Sequence, residues 1–267
     1  MHAFTLCYHA LDSAKFPTGV HCHADRSVVV DESSFRQQLR CLAEMNLRVM
    51  SLEEKLLADR TDHDRDTPCA ILTFDDGHNS SLSLAMPALL DAGVTATFYV
   101  VAGFVDKNPE YMTSRQLREL AANGMLIGSH TMTHRWLPQL SETEVGRELV
   151  DSKAKLEDII GRPVLDFALP GGHGNRRIFE VARQSEYRSV ATCKVGVFQN
   201  GSDPFHIPRL EIRRGLSIEG FQNTFSARKL KQLQLIEFGK DFARRSLGLS
   251  NYTRLRRIAH RLVVINR

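Results

Sequence analysis

A chain of 267 residues, 42% hydrophobic and 25% charged, can bury a full core and fits one α/β domain of barrel size with an appendage. No apolar run approaches the roughly 20 residues of a membrane span, and Met1-His2-Ala3-Phe4-Thr5-Leu6-Cys7-Tyr8-His9 lacks the basic start and cleavage site of a signal peptide. The net charge of +4 is uneven: residues 226–267 carry eleven Lys/Arg against two Asp/Glu, a net +9, which leaves −5 on residues 1–225. This asymmetry predicts an acidic body over 1–225 and a basic tail over 226–267 with separate jobs. The five cysteines (Cys7, Cys22, Cys41, Cys69, Cys193) are odd in number and form no CxxC pair, so they read as reduced thiols of a cytoplasmic protein.

In chain order, Phe4 to Tyr8 reads as a first strand ending at His9, followed by a loop from Ala10 to Asp31. That loop holds His21-Cys22-His23, spaced too tightly for a tetrahedral metal site. Ser33 or Ser34 caps a helix with Phe35, Leu39 and Leu42 on one face. A short strand, Leu47 to Met50, precedes the capping box Ser51-Leu52-Glu53-Glu54, and the polar stretch Asp59 to Pro68 reads as an exposed connection. Cys69 to Phe74 is a buried strand. A helix then runs to Ala92 and stops at Gly93, and Val94 to Val101 is β-branched and aromatic enough for a strand. Thr113 and Gln116 frame another capping box, with that helix closing at Asn123-Gly124. Met125 to Ser129 is a strand, and Ser141 to Gly161 a long helix. Val164 to Leu169 is a strand leading to Pro170-Gly171-Gly172-His173-Gly174-Asn175, with Asn175 placed to cap the next helix. Strands near Arg188–Thr192 and Ile207–Ile212 complete seven or eight strand–helix alternations, the pattern of a parallel α/β barrel.

The central strand ends in Asp75-Asp76-Gly77, at the carboxyl end where such folds gather catalytic groups. Neighbouring side chains of an extended chain point apart, so the two acids predict two roles, one binding a metal and the other acting as a base. His130-Thr131-Met132-Thr133-His134 supplies two imidazoles after another strand. One carboxylate and two histidines make a facial set that leaves metal positions open. No GxGxxG or Walker pattern supports nucleotide binding, and nothing suggests a nucleic-acid surface.

Thr73-Phe74-Asp75-Asp76-Gly77 and His130-Thr131-x-x-His134 resemble the first two motifs of the polysaccharide deacetylases, carbohydrate esterase family 4. The resemblance extends over roughly Phe4 to Ile212. It implies a distorted (β/α)7-type barrel and a divalent metal, zinc first, that removes acetyl groups from N-acetylated sugars. Residue by residue, it implies Asp75 as general base and Asp76, His130 and His134 as metal ligands. The third motif departs: Ala168-Leu169-Pro170-Gly171-Gly172 stands where Arg-x-Pro-Tyr-Gly is usual. The C-terminal Leu-x-His that supplies the general acid is also missing, with His206 the nearest substitute. Leu6-Cys7-Tyr8-His9 instead resembles the first strand of the circularly rearranged branch that includes poly-N-acetylglucosamine deacetylases, where this strand supplies the acid. His9 is then the expected acid, Arg209 the replacement for the missing motif arginine, and the Gly171 N–H, beside Pro170, the oxyanion donor. Trp136 is a sugar platform or a core residue, and His173 lines the groove or merely sits on the glycine loop. The rival readings are a sugar-binding barrel without catalysis and an amidohydrolase for a small non-sugar amide.

In the tail, Leu255, Ile258, Ala259, Leu262 and Val263 share a helical face, with Arg254, Arg257 and Arg261 beside it and Arg256 further round. Such a helix packs on the barrel or docks on an anionic membrane carrying lipid-linked glycans, where each basic residue contributes about 1 kcal/mol. Membrane docking predicts salt-sensitive sedimentation with anionic vesicles, weakened when Arg254, Arg256, Arg257 and Arg261 become Gln. Equal recovery with neutral vesicles, or loss of thermal stability in that variant, would count for packing instead.

Overall fold

The computed structural model describes residues 2–15, 26–61 and 67–239. The His21-Cys22-His23 triplet and the amphipathic stretch at 251–266 lie outside them. Two compact units divide the chain, Met1–Asn223 and Thr224–Arg267. In the second, a helix covers 227–239, and the Ser226 hydroxyl accepts the Lys229 N–H at its start.

The first unit opens with β1 (His2–Tyr8), β2 (Ala10–Asp12) and β3 (Val29–Asp31), then α1 (Glu32–Glu44), β4 (Arg48–Val49) and α2 (Leu52–Thr61). β5 (Cys69–Phe74) is followed by a π-helical turn over Ser81–Ala85, α3 (Met86–Asp91), β6 (Thr97–Val100), α4 (Ser114–Ala122), β7 (Leu126–Ser129) and α5 (Glu142–Ile160). β8 (Asp166–Ala168), α6 (Arg176–Gln184), β9 (Ser189–Ala191), β10 (Phe198–Gln199), β11 (Leu210–Glu211) and α7 (Ile218–Thr224) complete it.

Strands β1, β5, β6, β7, β8 and β9 run side by side in parallel, and β11 returns parallel to β1. A parallel bridge from Ala191 to Ile207 brings the other edge round, so the sheet curls into the expected distorted seven-unit barrel. β1 and β5 pair over six residues, but β1 meets β11 only at Leu6–Leu210 and Cys7–Glu211. The ring is firm on one side and thinly sewn on the other.

Strand alternation sorts the two faces. Tyr8, Phe74 and Phe98 stand in register across β1, β5 and β6 and stack at 5.2 and 4.8 Å. Phe35 of α1 packs edge-on against Tyr8 and Phe74, which makes this the outer, helix-covered face. The alternate positions face the barrel axis. Tyr99 pairs with Gly128 there, and Tyr99, Ala168 and Ala191 cluster. Small residues leave the axis open for long side chains.

Several boundaries differ from the sequence-based expectation. Ala10–Asp31 is not all loop, since β2 and β3 form a separate parallel pair. Asp31, not Ser33 or Ser34, occupies the N-cap of α1, and its carboxylate is held by Arg214 at 3.3 Å. α2 runs on to Thr61, into the stretch expected to be a connection. Val94 closes α3 by donating to Leu89 O across Gly93, at φ +65°, so the next strand begins only at Thr97. The strand expected over Ile207–Ile212 shrinks to Leu210–Glu211, because Pro208 has no N–H and the Arg209 N–H goes to Lys194 O. The capping boxes at Ser51/Glu54, Thr113/Gln116 and Ser141/Glu144 form as read.

A Cβ on Gly128 would lie 2.5 Å from the Tyr99 ring and 2.9 Å from Asp166 O, whereas one on Gly146 of α5 meets nothing within 4 Å. Gly128→Val should cost about 1–3 kcal/mol through overpacking, and Gly146→Ala should gain about 0.5–1 kcal/mol. Calorimetric melting temperatures that moved together would contradict this account of the barrel interior.

Candidate active site

The alternation that sends Phe74 and Tyr8 outward sends their neighbours inward. On β5, Thr73 points to the axis and Asp75, two residues on, follows it. On β1, Cys7 points inward, and His9 lies two residues beyond. The barrel thus collects these groups at its carboxyl end without any unusual backbone.

Asp75 is 2% exposed and meets a fully buried partner. Arg209 donates from Nη1 to Oδ1 at 2.6 Å and from Nη2 to Oδ2 at 2.7 Å, a bidentate pair across the barrel axis. Its remaining donors reach Thr192 O (2.9 Å) and Thr73 Oγ1 (3.3 Å), and its guanidinium lies 5.5 Å from the Tyr99 ring centroid. Burial alone would push the Asp75 carboxyl up. The Arg209 charge, with His130 and His9, outweighs it and holds the carboxyl well below the usual range. Arg209 does not end a strand as expected. It sits just before β11, and its guanidinium overlies Tyr99, which clusters with Ala168 and Ala191.

Asp76 turns the other way. Its φ of +73° puts it in the left-handed region, followed by Gly77 at +82°, where a Cβ would stand 2.9 Å from Val100 Cγ1. Asp76 Oδ1 lies 3.5 Å from His130 Nε2 and 3.4 Å from His134 Nε2. The loop holding the histidines is itself strained, with Thr131 at φ +69° and His134 at +57°. Glu148 of α5 fastens it, accepting the Met132 and Thr133 N–H groups at 2.9 and 2.8 Å and the Thr133 hydroxyl. Gly103 donates to Met132 O, and a Cβ there would be 2.3 Å from that oxygen.

These donor atoms fit a divalent cation. Bonds of about 2.0–2.2 Å at tetrahedral angles separate ligand atoms by about 3.4 Å. Each His–Asp76 distance is near that value and longer than a good hydrogen bond. His130 Nδ1 is 2.8 Å from Ala168 O, which fixes the ring and leaves Nε2 to bind. Burial pushes the His130 pKa down, the direction that favours the neutral ring a metal ligand needs.

His9 is brought to the same place: a ring nitrogen of His9, Cys7 Sγ and an Asp75 oxygen lie within 4.8 Å of one another. His9 Nδ1 is buried with no hydrogen-bond partner among the described residues. Gly171 is exposed at φ +66°, and a Cβ on it would meet Trp136 Cζ3 at 2.7 Å, so Trp136 lies half-buried over this loop. Pro170 is buried beneath it. His173 joins the Trp136 ring at 5.3 Å, which makes it more than a passenger on the glycine loop. His206 is exposed, bonded to Asp203 at 3.0 Å and tilted against the Phe179 ring at 4.2 Å. The sequence reading missed Glu148, Tyr99 and Cys193. Only Glu148 carried a local signal, an acid on the inner side of an amphipathic helix.

Paired Asp75 stabilises the fold at every pH above its ordinary value of about 3.9, and that contribution fades as pH falls below this range towards its depressed folded value. Arg209→Met leaves a buried carboxylate alone, at a cost of about 3–5 kcal/mol at neutral pH. Burial then raises the Asp75 pKa, so the variant's deficit should narrow between pH 7 and pH 5 as the carboxyl takes up a proton. Urea unfolding at the two pH values measures this, and a pH-independent deficit would assign Arg209 to packing alone.

The family model for polysaccharide deacetylase matches residues 62–190. The putative polysaccharide deacetylase YxkH of Bacillus subtilis (strain 168) is 23% identical over 216 residues, 81% of this chain and 73% of that protein. The peptidoglycan-N-acetylglucosamine deacetylase of Bacillus cereus is 32% identical over 123 residues, 45% of this chain and 54% of that protein. Among solved structures, the Streptococcus pyogenes deacetylase PplD, in complex with acetate, superposes with a TM-score of 0.74 at 24% identity, covering 85% of this chain and 99% of that one. With these matches added to its two motifs, the chain is similar to the polysaccharide deacetylases, and residues 62–190 match that family's domain.

Proposed function

We propose that the protein removes the acetyl group of an N-acetylated sugar. Asp76, His130 and His134 would hold a divalent metal, zinc first, Asp75 would serve as general base and His9 as general acid. The observation that carries this reading is the pairing of an Arg209-clamped carboxylate with an adjacent, separately oriented Asp–His–His donor set at one end of the barrel. A sugar-binding barrel has no use for a buried base beside metal donors.

A divalent cation in that donor set supplies Lewis acidity, which makes water a better nucleophile near neutral pH and stabilises developing negative charge. Asp75 takes the proton of the attacking water on a carboxylate oxygen. Arg209 holds this carboxyl below the usual range, which favours the ionised form that can accept a proton. His9, facing Asp75 with an unpartnered Nδ1, gives a proton to the departing nitrogen. The Gly171 N–H, on the exposed loop after β8, donates to the oxyanion, a contact of a kind whose loss typically costs about 2.7–4 kcal/mol. Trp136, lying over Gly171 beside His173, offers an aromatic face to the sugar. Four free thiols among the described residues and the basic tail support a cytoplasmic enzyme whose acetylated sugar is lipid-linked.

Acetate release from a panel of N-acetylated oligosaccharides, together with metal analysis, tests the assignment. Asp76→Ala, His130→Ala and His134→Ala should lose both metal and turnover. Asp75→Asn and His9→Ala should keep the metal and lose about 10²–10⁴-fold in rate, with the His9 loss smaller on activated esters. Full metal content in His134→Ala would sink the ligand set, and release from small non-sugar amides alone would favour the amidohydrolase.

A further inference from the structure

Two cysteines lie inside the site without a part in the chemistry above. Cys7 precedes His9 on β1, and Cys193 follows β9 by two residues. The two thiols lie close enough to shift each other's titration in opposite directions. The Cys7 thiol also donates to Asp75 Oδ2 at 3.5 Å, and Cys193 Sγ accepts from Arg209 Nη2 at 3.7 Å. With the 2.7 Å contact between Arg209 Nη2 and Asp75 Oδ2, the four groups form a chain in which the two thiols bracket the ion pair.

We propose that Cys7 and Cys193 form an oxidative modification site, joined by a peroxide-class oxidant into a reversible disulfide that shuts off the catalytic centre. The inference rests on the function proposed above only for its effect on activity. Its chemistry rests on the thiols.

Their environments divide the labour. The Cys193 thiol is lowered to about 7, first by the neighbouring Cys7 thiol and then by the Arg209 charge working against burial. Cys7 is pushed up by Cys193 and by burial. Cys193 is also the partly exposed member, whereas Cys7 is buried. The thiolate of Cys193 attacks one oxygen of hydrogen peroxide; the O–O bond breaks, and Cys193 sulfenic acid and hydroxide result. The Cys7 sulfur displaces the sulfenic oxygen, forming the S–S bond and breaking the S–O bond, and water departs with the Cys7 proton. Two thiols are oxidised by two electrons and one peroxide is reduced to water.

Sulfurs joined at about 2.05 Å can no longer keep their present contacts with Asp75 and Arg209. The displacement also reaches the loop beyond β8. A Cβ on Gly172 would lie 2.2 Å from Cys193 Cβ, and the Cys193 N–H donates to Gly172 O at 3.3 Å, so Cys193 cannot move without Gly172 and its neighbour Gly171. In a reducing compartment such a bond is transient and regulatory, not structural.

The test treats the reduced full-length protein with hydrogen peroxide, blocks remaining thiols and maps peptides by mass. A Cys7–Cys193 cross-link should appear with the loss of two hydrogens. Deacetylation should fall in step by about 10²-fold, the scale of a 1 Å misplacement of catalytic groups, and dithiothreitol should restore it. Cys193→Ser, compared with its own untreated activity, should resist peroxide. Cys7→Ser should leave Cys193 as a sulfenic acid trapped by dimedone. Further oxidation of Cys193 without any cross-link, or a full cross-link with activity intact, would overturn the proposal. Mapping needs no substrate, so a protein that deacetylates no sugar yet forms the cross-link would refute the proposed function and not the modification site.

Discussion

The Asp75–Arg209 pair is the constraint around which the barrel is arranged. Two charges removed from water are stable only when geometry is good and every remaining donor is used. Here both carboxylate oxygens are engaged within 2.7 Å, and the other guanidinium donors reach a carbonyl and a hydroxyl. Tyr99 lies against the guanidinium, and the small residues Ala168, Ala191 and Gly128 make room for the Tyr99 ring. The alanine at the place of the usual motif arginine is therefore part of the same arrangement. The arginine comes instead from the segment between β9 and β1, and a small residue at 168 packs against the Tyr99 ring that the guanidinium overlies.

Asp75 and Asp76 divide their work because the backbone changes hand between them. Asp75 is still on the strand and inherits its inward direction, while Asp76 adopts a left-handed conformation that a β-carbon tolerates poorly. Thr131 and His134 carry the same kind of strain on the facing loop. Each such residue costs on the order of 1–3 kcal/mol and persists only where its surroundings dictate it. Glu148, the Gly103–Met132 hydrogen bond and the close contact of Gly77 with Val100 impose that dictation. Donor atoms held in this way are positioned before any ligand arrives, so binding need not order them.

What the sequence made legible was mainly local. Capping boxes, glycine stops and strand alternation gave the order of elements, and the two motifs named the Asp–His–His set. Nothing local ties Asp75 to Arg209, 134 residues away, or Cys7 to Cys193. Those pairings follow from barrel closure, and only the departure at Ala168 hinted that an arginine must come from elsewhere. The shortened strands have a common cause: Val94 is drawn into the end of α3, and Pro208 breaks the ladder before β11. Apolar runs show which residues are buried, but hydrogen-bond geometry decides where a ladder starts.

The unequal seams of the barrel give the site a firm half and a compliant half. Asp75, Asp76 and His9 extend from β5 and β1, which are paired along six residues. Arg209 comes from the returning segment, tied to its neighbours by the Ala191–Ile207 bridge, a few backbone bonds and two residue pairs to β1, and Cys193 from the stretch just after β9. A pull exerted inside the ring is therefore taken up on the Arg209 side, because fewer hydrogen bonds oppose it there. Asp75 is thus held on the firm side while the arginine that sets its charge lies on the compliant one. The proposed bond between Cys7, on the firm strand, and Cys193, on the far side of the Asp75–Arg209 pair, would span that mechanical boundary and so act on the pair without dismantling the Asp76–His130–His134 set beside it.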